Sequence, residues 1–149
     1  MDSSMYYRSA TLGDLPALQR LGLASYGQFE KELTPGYWAE LAANLGAEAV
    51  YHSLVTAGES FLCIKDETPV GMAFLVPSGN PTDIYPADWS YIRLVGVHPA
   101  CAGMGIGRAL MLRCIDAAHL NGEKTLGLHT SAMMHAARQG TGAGLWRLV

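Results

Sequence analysis

Three cysteines, no cluster of Lys or Arg, and no apolar stretch near the length of a membrane span define what this 149-residue chain is not. Cys63, Cys101 and Cys114 form neither a CxxC pair nor an even set, which argues against a disulfide scaffold and a thiolate metal site. Reduced thiols in a cytoplasm are expected. Charged residues make up only 15% of the chain and sum to −3, so nothing provides the basic footprint that nucleic acid requires. A bilayer crossing needs roughly 18 consecutive apolar residues, and a membrane partner is therefore not expected. The opening "MDSSMYYRSA" has an acid and polar residues where a secretory signal has positive charge and then an apolar run. The acidic balance better suits a small cationic substrate.

Half of the residues are hydrophobic, enough for one soluble domain over 1–149 that buries about two-thirds of its unfolded surface. A strand from Tyr6 leads to a helix with Asp14 as its cap candidate, an early Pro16, and apolar Leu15, Leu18 and Leu21. A second helix starts at Thr34 with Pro35 in the first helical position. The segment "AEAVYHSLVTAG" either extends it or forms another helix closed by Gly58. The period then shortens: "SFLCIKD" and "VGMAFLVP" read as an antiparallel hairpin with Pro69 in the turn. After the loop "SGNPTDIYPADWS" come the strand "YIRLVGV", a helix to about Asn121–Gly122, the strand "KTLGLHTS" and a helix "AMMHAARQ". This order reads as α/β or α+β, with no internal repeat.

The distinctive stretch is "VGVHPACAGMGIGRALM", Val95 to Met111, where Gly103, Gly105 and Gly107 stand between a strand and a helix. Glycine lets a ligand approach the backbone closely, and the free N–H groups at a helix start attract anions, phosphates above all. The dinucleotide pattern G-x-G-x-x-G fails because Arg108 occupies the third glycine position, and no Gly-Lys-Ser/Thr completes a P-loop. Arg108 opposes the helix dipole, so it either answers a nearby anion or extends into solvent.

That stretch resembles the acetyl-CoA signature of the N-acetyltransferase (GNAT) superfamily: an apolar strand, V-x-P, Arg/Gln-x-x-Gly-x-Gly/Ala, then a helix. The resemblance runs from about Tyr6 to Ala137. It implies a mixed, mainly antiparallel central sheet flanked by helices, with fourth and fifth strands splayed to admit acetyl-CoA as cosubstrate and "GLHTS" as the far wall. No metal is implied. Cofactor contacts are assigned to Val95, Gly96 and Val97 on the strand, and to Ala102, Gly103, Met104, Gly105, Ile106, Gly107 and Arg108 at the bend. In this scheme Val95 and Val97 pair with the pantetheine arm, the amides from Gly103 to Arg108 hold the pyrophosphate, and a backbone N–H near Val97 meets the oxyanion.

Two departures bear on activity. Ala102 takes the usual Arg/Gln position, removing a side-chain contact while leaving a main-chain N–H. The family's continuation "MMxAAxxLYExxGF" supplies a tyrosine acid, but aligning Met133–Ala137 places Thr141 there and Leu145–Trp146 at the Gly-Phe. The closing strands are therefore expected to be missing or replaced, and an edge exposed by their loss would favour either association with a second copy, as a homodimer, or aggregation. Asp88, Tyr91 and Glu59 are the candidate bases, each otherwise a solvated loop or edge residue, with a water chain as the substitute. Tyr26, Phe29, Tyr37, Trp38, Tyr85 and Trp89 are candidate pocket aromatics, although Trp38 reads first as core. His129 and His135 lack a third partner for metal binding. The resemblance thus implies acetyl transfer to a primary amine of a small molecule or protein. The alternative is a catalytically silent acyl-CoA-binding or dimerisation module.

Overall fold

The computed structural model describes residues 4–130 and 144–147. Six strands form one sheet in chain order: β1 (Met5–Arg8), β2 (Glu59–Lys65), β3 (Thr68–Val76), β4 (Ser90–Val97), β5 (Leu126–Thr130) and β6 (Gly144–Arg147). Every pairing is antiparallel except β4 with β5. The mixed, mainly antiparallel sheet expected from the sequence is therefore present. The helices are α1 (Leu15–Gly27), α2 (Pro35–Leu45), α3 (Glu48–Ala57) and α4 (Ile106–Leu120). Among the described residues, no helix is long and apolar enough to cross a membrane.

Strand alternation divides the core between two faces. Met72 and Phe74 of β3 pack with Leu18 of α1 and Tyr51 of α3, while Ala73 and Leu75 pack with Leu110 and Cys114 of α4. Gly71 belongs to the α4 face, and a Cβ there would lie 2.6 Å from Ile106 Cγ2. The missing side chain lets the start of α4 settle directly on the sheet. On the opposite face, a Cβ on Gly96 would lie 2.6 Å from Ser25 Oγ, so α1 approaches β4 as closely.

Several local expectations change. Asp14 makes no side-chain cap bond to α1; it forms an ion pair with Arg8 at 2.8 Å and accepts the Thr11 N–H at 2.8 Å. Pro69 lies within β3 opposite Ile64, at a register shift where a ladder donor is dispensable. The turn is made by Asp66 and Glu67, with φ of 49° and 68°, the left-handed pair that suits a two-residue hairpin. "AEAVYHSLVTAG" forms a helix of its own, since Gly46 and Ala47 separate α2 from α3. A closing strand is also present: β6 pairs with β5 from Gly127↔Arg147 to Thr130↔Gly144. The segment "AMMHAARQ", with His135, and Thr141 lie outside the described residues.

The Arg8–Asp14 pair predicts an acid-sensitive contribution to stability. Hydrogen bonding from Arg8 chiefly, against the opposing effect of burial, lowers the Asp14 carboxyl from 3.8 to about 2. A depressed native value stabilises the fold above the unfolded value and is lost as pH falls through the native one. Arg8 is 37% exposed, and solvent screening reduces the expected contribution to ~1 kcal/mol. Urea unfolding at pH 7 should show Asp14→Asn less stable than wild type by that amount, with the difference shrinking as pH falls below the unfolded value and vanishing only below the native one.

Candidate active site

The site begins with a break in the regular geometry of β4. Leu94 has φ 52°, and Leu94 and Val95 together oppose Ala73, so the strand bulges there. The parallel ladder to β5 runs from Ser90↔Leu126 to Ile92↔Leu128 and ends. Among the described residues, β4 beyond Ile92 has no ladder partner in β5 although both strands continue. This is the splay between the fourth and fifth strands.

The backbone groups facing that gap follow from strand parity. His98 N–H donates to Val70 O at 2.8 Å, toward β3. Polar groups alternate sides along a strand, so those of Val97 and Val95 point away from β3 and into the gap. The Val95 carbonyl accepts the Tyr26 hydroxyl at 3.3 Å, whereas the Val97 N–H has no partner among the described residues. Gly96, between them, faces β3 and packs on α1. Burial pushes the Tyr26 hydroxyl up to about 12, with Arg93 opposing, so it remains a donor at neutral pH.

Beyond Val97, a short 3-10 turn (Pro99–Cys101) leads to the glycine bend. His98 Nδ1 accepts the Ala100 N–H at 3.1 Å and starts that turn. Gly103 and Gly105 have φ of 80° and 77°, and a Cβ on either would meet nothing within 4 Å. Gly105 is also the residue preceding the first turn of α4, and it makes no side-chain cap bond. From Gly103 through Met104, Gly105, Ile106 and Gly107 to Arg108, the amides have no hydrogen-bond acceptor among the described residues. Ile106 anchors the bend by burying its side chain, while Arg108 is exposed. The Ala102 N–H is already used, donating to Pro99 O at 3.2 Å. The free amides therefore begin at Gly103, and the Ala102 N–H is not among them.

The base candidates fall in three different places. Glu59 accepts the Asn121 amide at 2.6 Å at the C-terminal end of α4; that 15-residue helix is about 22 Å long, which separates Glu59 from the bend. Asp88 is exposed in the loop before β4. Tyr91 is buried, stacked on Tyr85 at 4.3 Å and 7°, with its hydroxyl 3.3 Å from Asn80 O. Among the aromatics, Tyr26 packs with Leu45, Phe29, Trp38 and Leu94 near the bulge, and Tyr37 is exposed. Tyr85 and Trp89 cover Gly127 of β5. The Cys63 and Cys114 thiols are pushed up by burial, which suits packing rather than nucleophilic roles.

The Leu94 bulge, the Tyr26 contact and the placement of Arg93 were absent from the sequence reading. Arg93 alone left a signal, as the one charged residue in the strand "SYIRLVGV".

Comparison with known proteins agrees with this geometry. The model of the acetyltransferase (GNAT) family matches residues 26–140. No curated protein matches the chain. Among solved structures, the chain is similar to PaiA N-acetyltransferase from Thermoplasma acidophilum in complex with coenzyme A, with TM-score 0.71, 14% identity, and coverage of 93% of this chain and 82% of that one. A GNAT family acetyltransferase from Brucella melitensis in complex with acetyl-CoA gives TM-score 0.64 and 17% identity, covering 98% and 89%. An acetyltransferase of the GNAT family from Staphylococcus aureus gives 0.67 and 16%, covering 91% and 79%.

Proposed function

The chain belongs to the acetyltransferase (GNAT) family, and from that premise we propose that it transfers acetyl from acetyl-CoA to a primary amine held in the same complex. The observation that carries this reading is the run of unpaired amides at the start of α4, next to a strand whose free backbone groups face a gap. Coenzyme A and acetyl-CoA are the ligands named for two structures of similar fold, and the residues here fit that class. Gly103 and Gly105 leave open space where side chains would stand, and the amides from Gly103 to Arg108 suit a diphosphate. Val95 and Val97 offer backbone groups to a pantetheine arm lying along β4.

When bound, acetyl-CoA supplies an activated thioester. The free N–H of Val97 is the donor placed for negative charge on the thioester oxygen. The Tyr26 hydroxyl fixes the Val95 carbonyl beside it and remains protonated. The acceptor must lose a proton before it attacks. Glu59 sits at the wrong end of α4 for this, and Tyr91 is occupied by its stack and its Asn80 contact. Asp88 precedes β4 and so lies at the end of that strand away from Val97, which leaves water reaching the gap as the remaining route. The departing thiolate is stable enough at neutral pH to need no dedicated acid.

Thiol release with acetyl-CoA over a panel of primary amines, paired with calorimetric titration of acetyl-CoA, tests the proposal. Saturable binding with amine-dependent thiol release is expected. Binding without release on any amine would leave the alternative of a silent coenzyme-binding module, and no binding would overturn both.

A further inference from the structure

Arg93 stands at the mouth of the gap, and among the described residues its charge has no ion-pair partner. It is exposed although it occupies an inner strand, and the ladder to β5 ends one residue before it. It pairs with Phe74 across β3 and shares the parity of Tyr91, so its side chain leaves the sheet on the α1 face. The floor there is apolar: Phe74 and Tyr91 are buried and Leu94 is half-buried. Among the described residues the one ion pair is Arg8–Asp14, and no carboxylate answers Arg93.

The nearby hydroxyls do not neutralise it either. Tyr26 and Tyr51 both feel its charge, but they donate to the carbonyls of Val95 and Leu45, at 3.3 Å and 2.6 Å. An unpaired guanidinium above an aromatic floor is a fork waiting for a planar anion, and carboxylate matches it bidentately. The pyrophosphate cradle does not compete for this role. It lies past the end of β4 beside α4, whereas Arg93 projects from the other face.

We propose that Arg93 is a specificity-determining residue that binds a carboxylate on the acceptor, making the acceptor a small zwitterionic amine of the amino-acid class. This rests on the acetyl-transfer reading and narrows its substrate. It also replaces the purely cationic substrate suggested by net charge. Long-range repulsion by a chain of charge −3 is small for a zwitterion, and recognition falls to the local cation.

The test uses matched probes: free amino acids and their C-terminal amides, which share the amine and differ in the carboxylate. Wild type should turn over its best amino acid with kcat/KM about 10- to 100-fold above the matching amide, the range of a charge-assisted hydrogen-bonded pair. Arg93→Ala should bring that ratio close to one, mainly through KM, with acetyl-CoA affinity unchanged by calorimetry. Arg93→Lys should restore part of the preference. Equal use of acid and amide by wild type, a preference that survives in Arg93→Ala, or no turnover of any amino acid by protein that binds acetyl-CoA would each overturn the proposal. Failure of wild type to bind acetyl-CoA would instead overturn the acetyl-transfer reading, and this proposal with it.

Discussion

Gly105→Glu is expected to weaken acetyl-CoA binding by about 100-fold or more while the protein still folds. Two effects act together. Gly105 has φ 77°, and a side-chain-bearing residue held in that region costs roughly 1–2 kcal/mol. Glutamate also places a carboxylate among the amides proposed to hold a diphosphate, replacing attraction with repulsion at close range. Nothing lies within 4 Å of the position where its Cβ would stand, so the domain is not forced apart. Gly105→Ala carries the backbone strain without the charge and separates the two contributions. Calorimetric titration of both variants, with thermal melts as the folding control, checks the expectation. Glutamate and alanine variants of equal, near-native affinity would contradict it.

Val97→Pro should lower kcat by about 10²- to 10³-fold, the loss typical of removing one oxyanion donor. Proline in a strand normally breaks a ladder bond. Here the bonds to β3 are made on either side, by His98 and Gly96, and the Val97 N–H faces the gap. The preceding glycine is already in a strand, so the restriction that proline imposes on its neighbour is tolerated. Val97→Ala is the control: it removes part of a half-buried side chain but keeps the N–H. Turnover of the proline variant within a few-fold of the alanine variant would remove Val97 from the proposed mechanism.

The parts of this site legible in the sequence are those whose physics is local. Thr34 followed by Pro35 announces a helix start, and the Thr34 hydroxyl does accept the Tyr37 N–H at 3.2 Å. The glycines announce a bend because positive φ selects for them, as Gly103 and Gly105 bear out. Where tertiary packing sets the geometry, the sequence was silent or misleading. Leucine at φ 52° has no compositional signature, so the bulge that follows the end of the β4–β5 ladder could not be anticipated from Leu94 itself. Asp14 has the chemistry of a cap but meets Arg8 instead, a partner fixed by where β1 enters. Pro69 resembled a turn residue, while the turn formed at Asp66 and Glu67 without any glycine. Glu59 heads its strand as expected, but the direction of that strand delivers it to the far end of α4.

The central claim is that the main-chain amides at the start of α4 hold the diphosphate of coenzyme A while β4 receives the pantetheine arm. Titrating ¹⁵N-labelled protein with coenzyme A, and following each backbone amide by NMR, tests it most directly. Saturating shifts of Gly103, Gly105, Gly107 and Arg108, together with Val97, are the predicted result. Binding that leaves these amides unshifted and moves a separate set of residues would contradict the account.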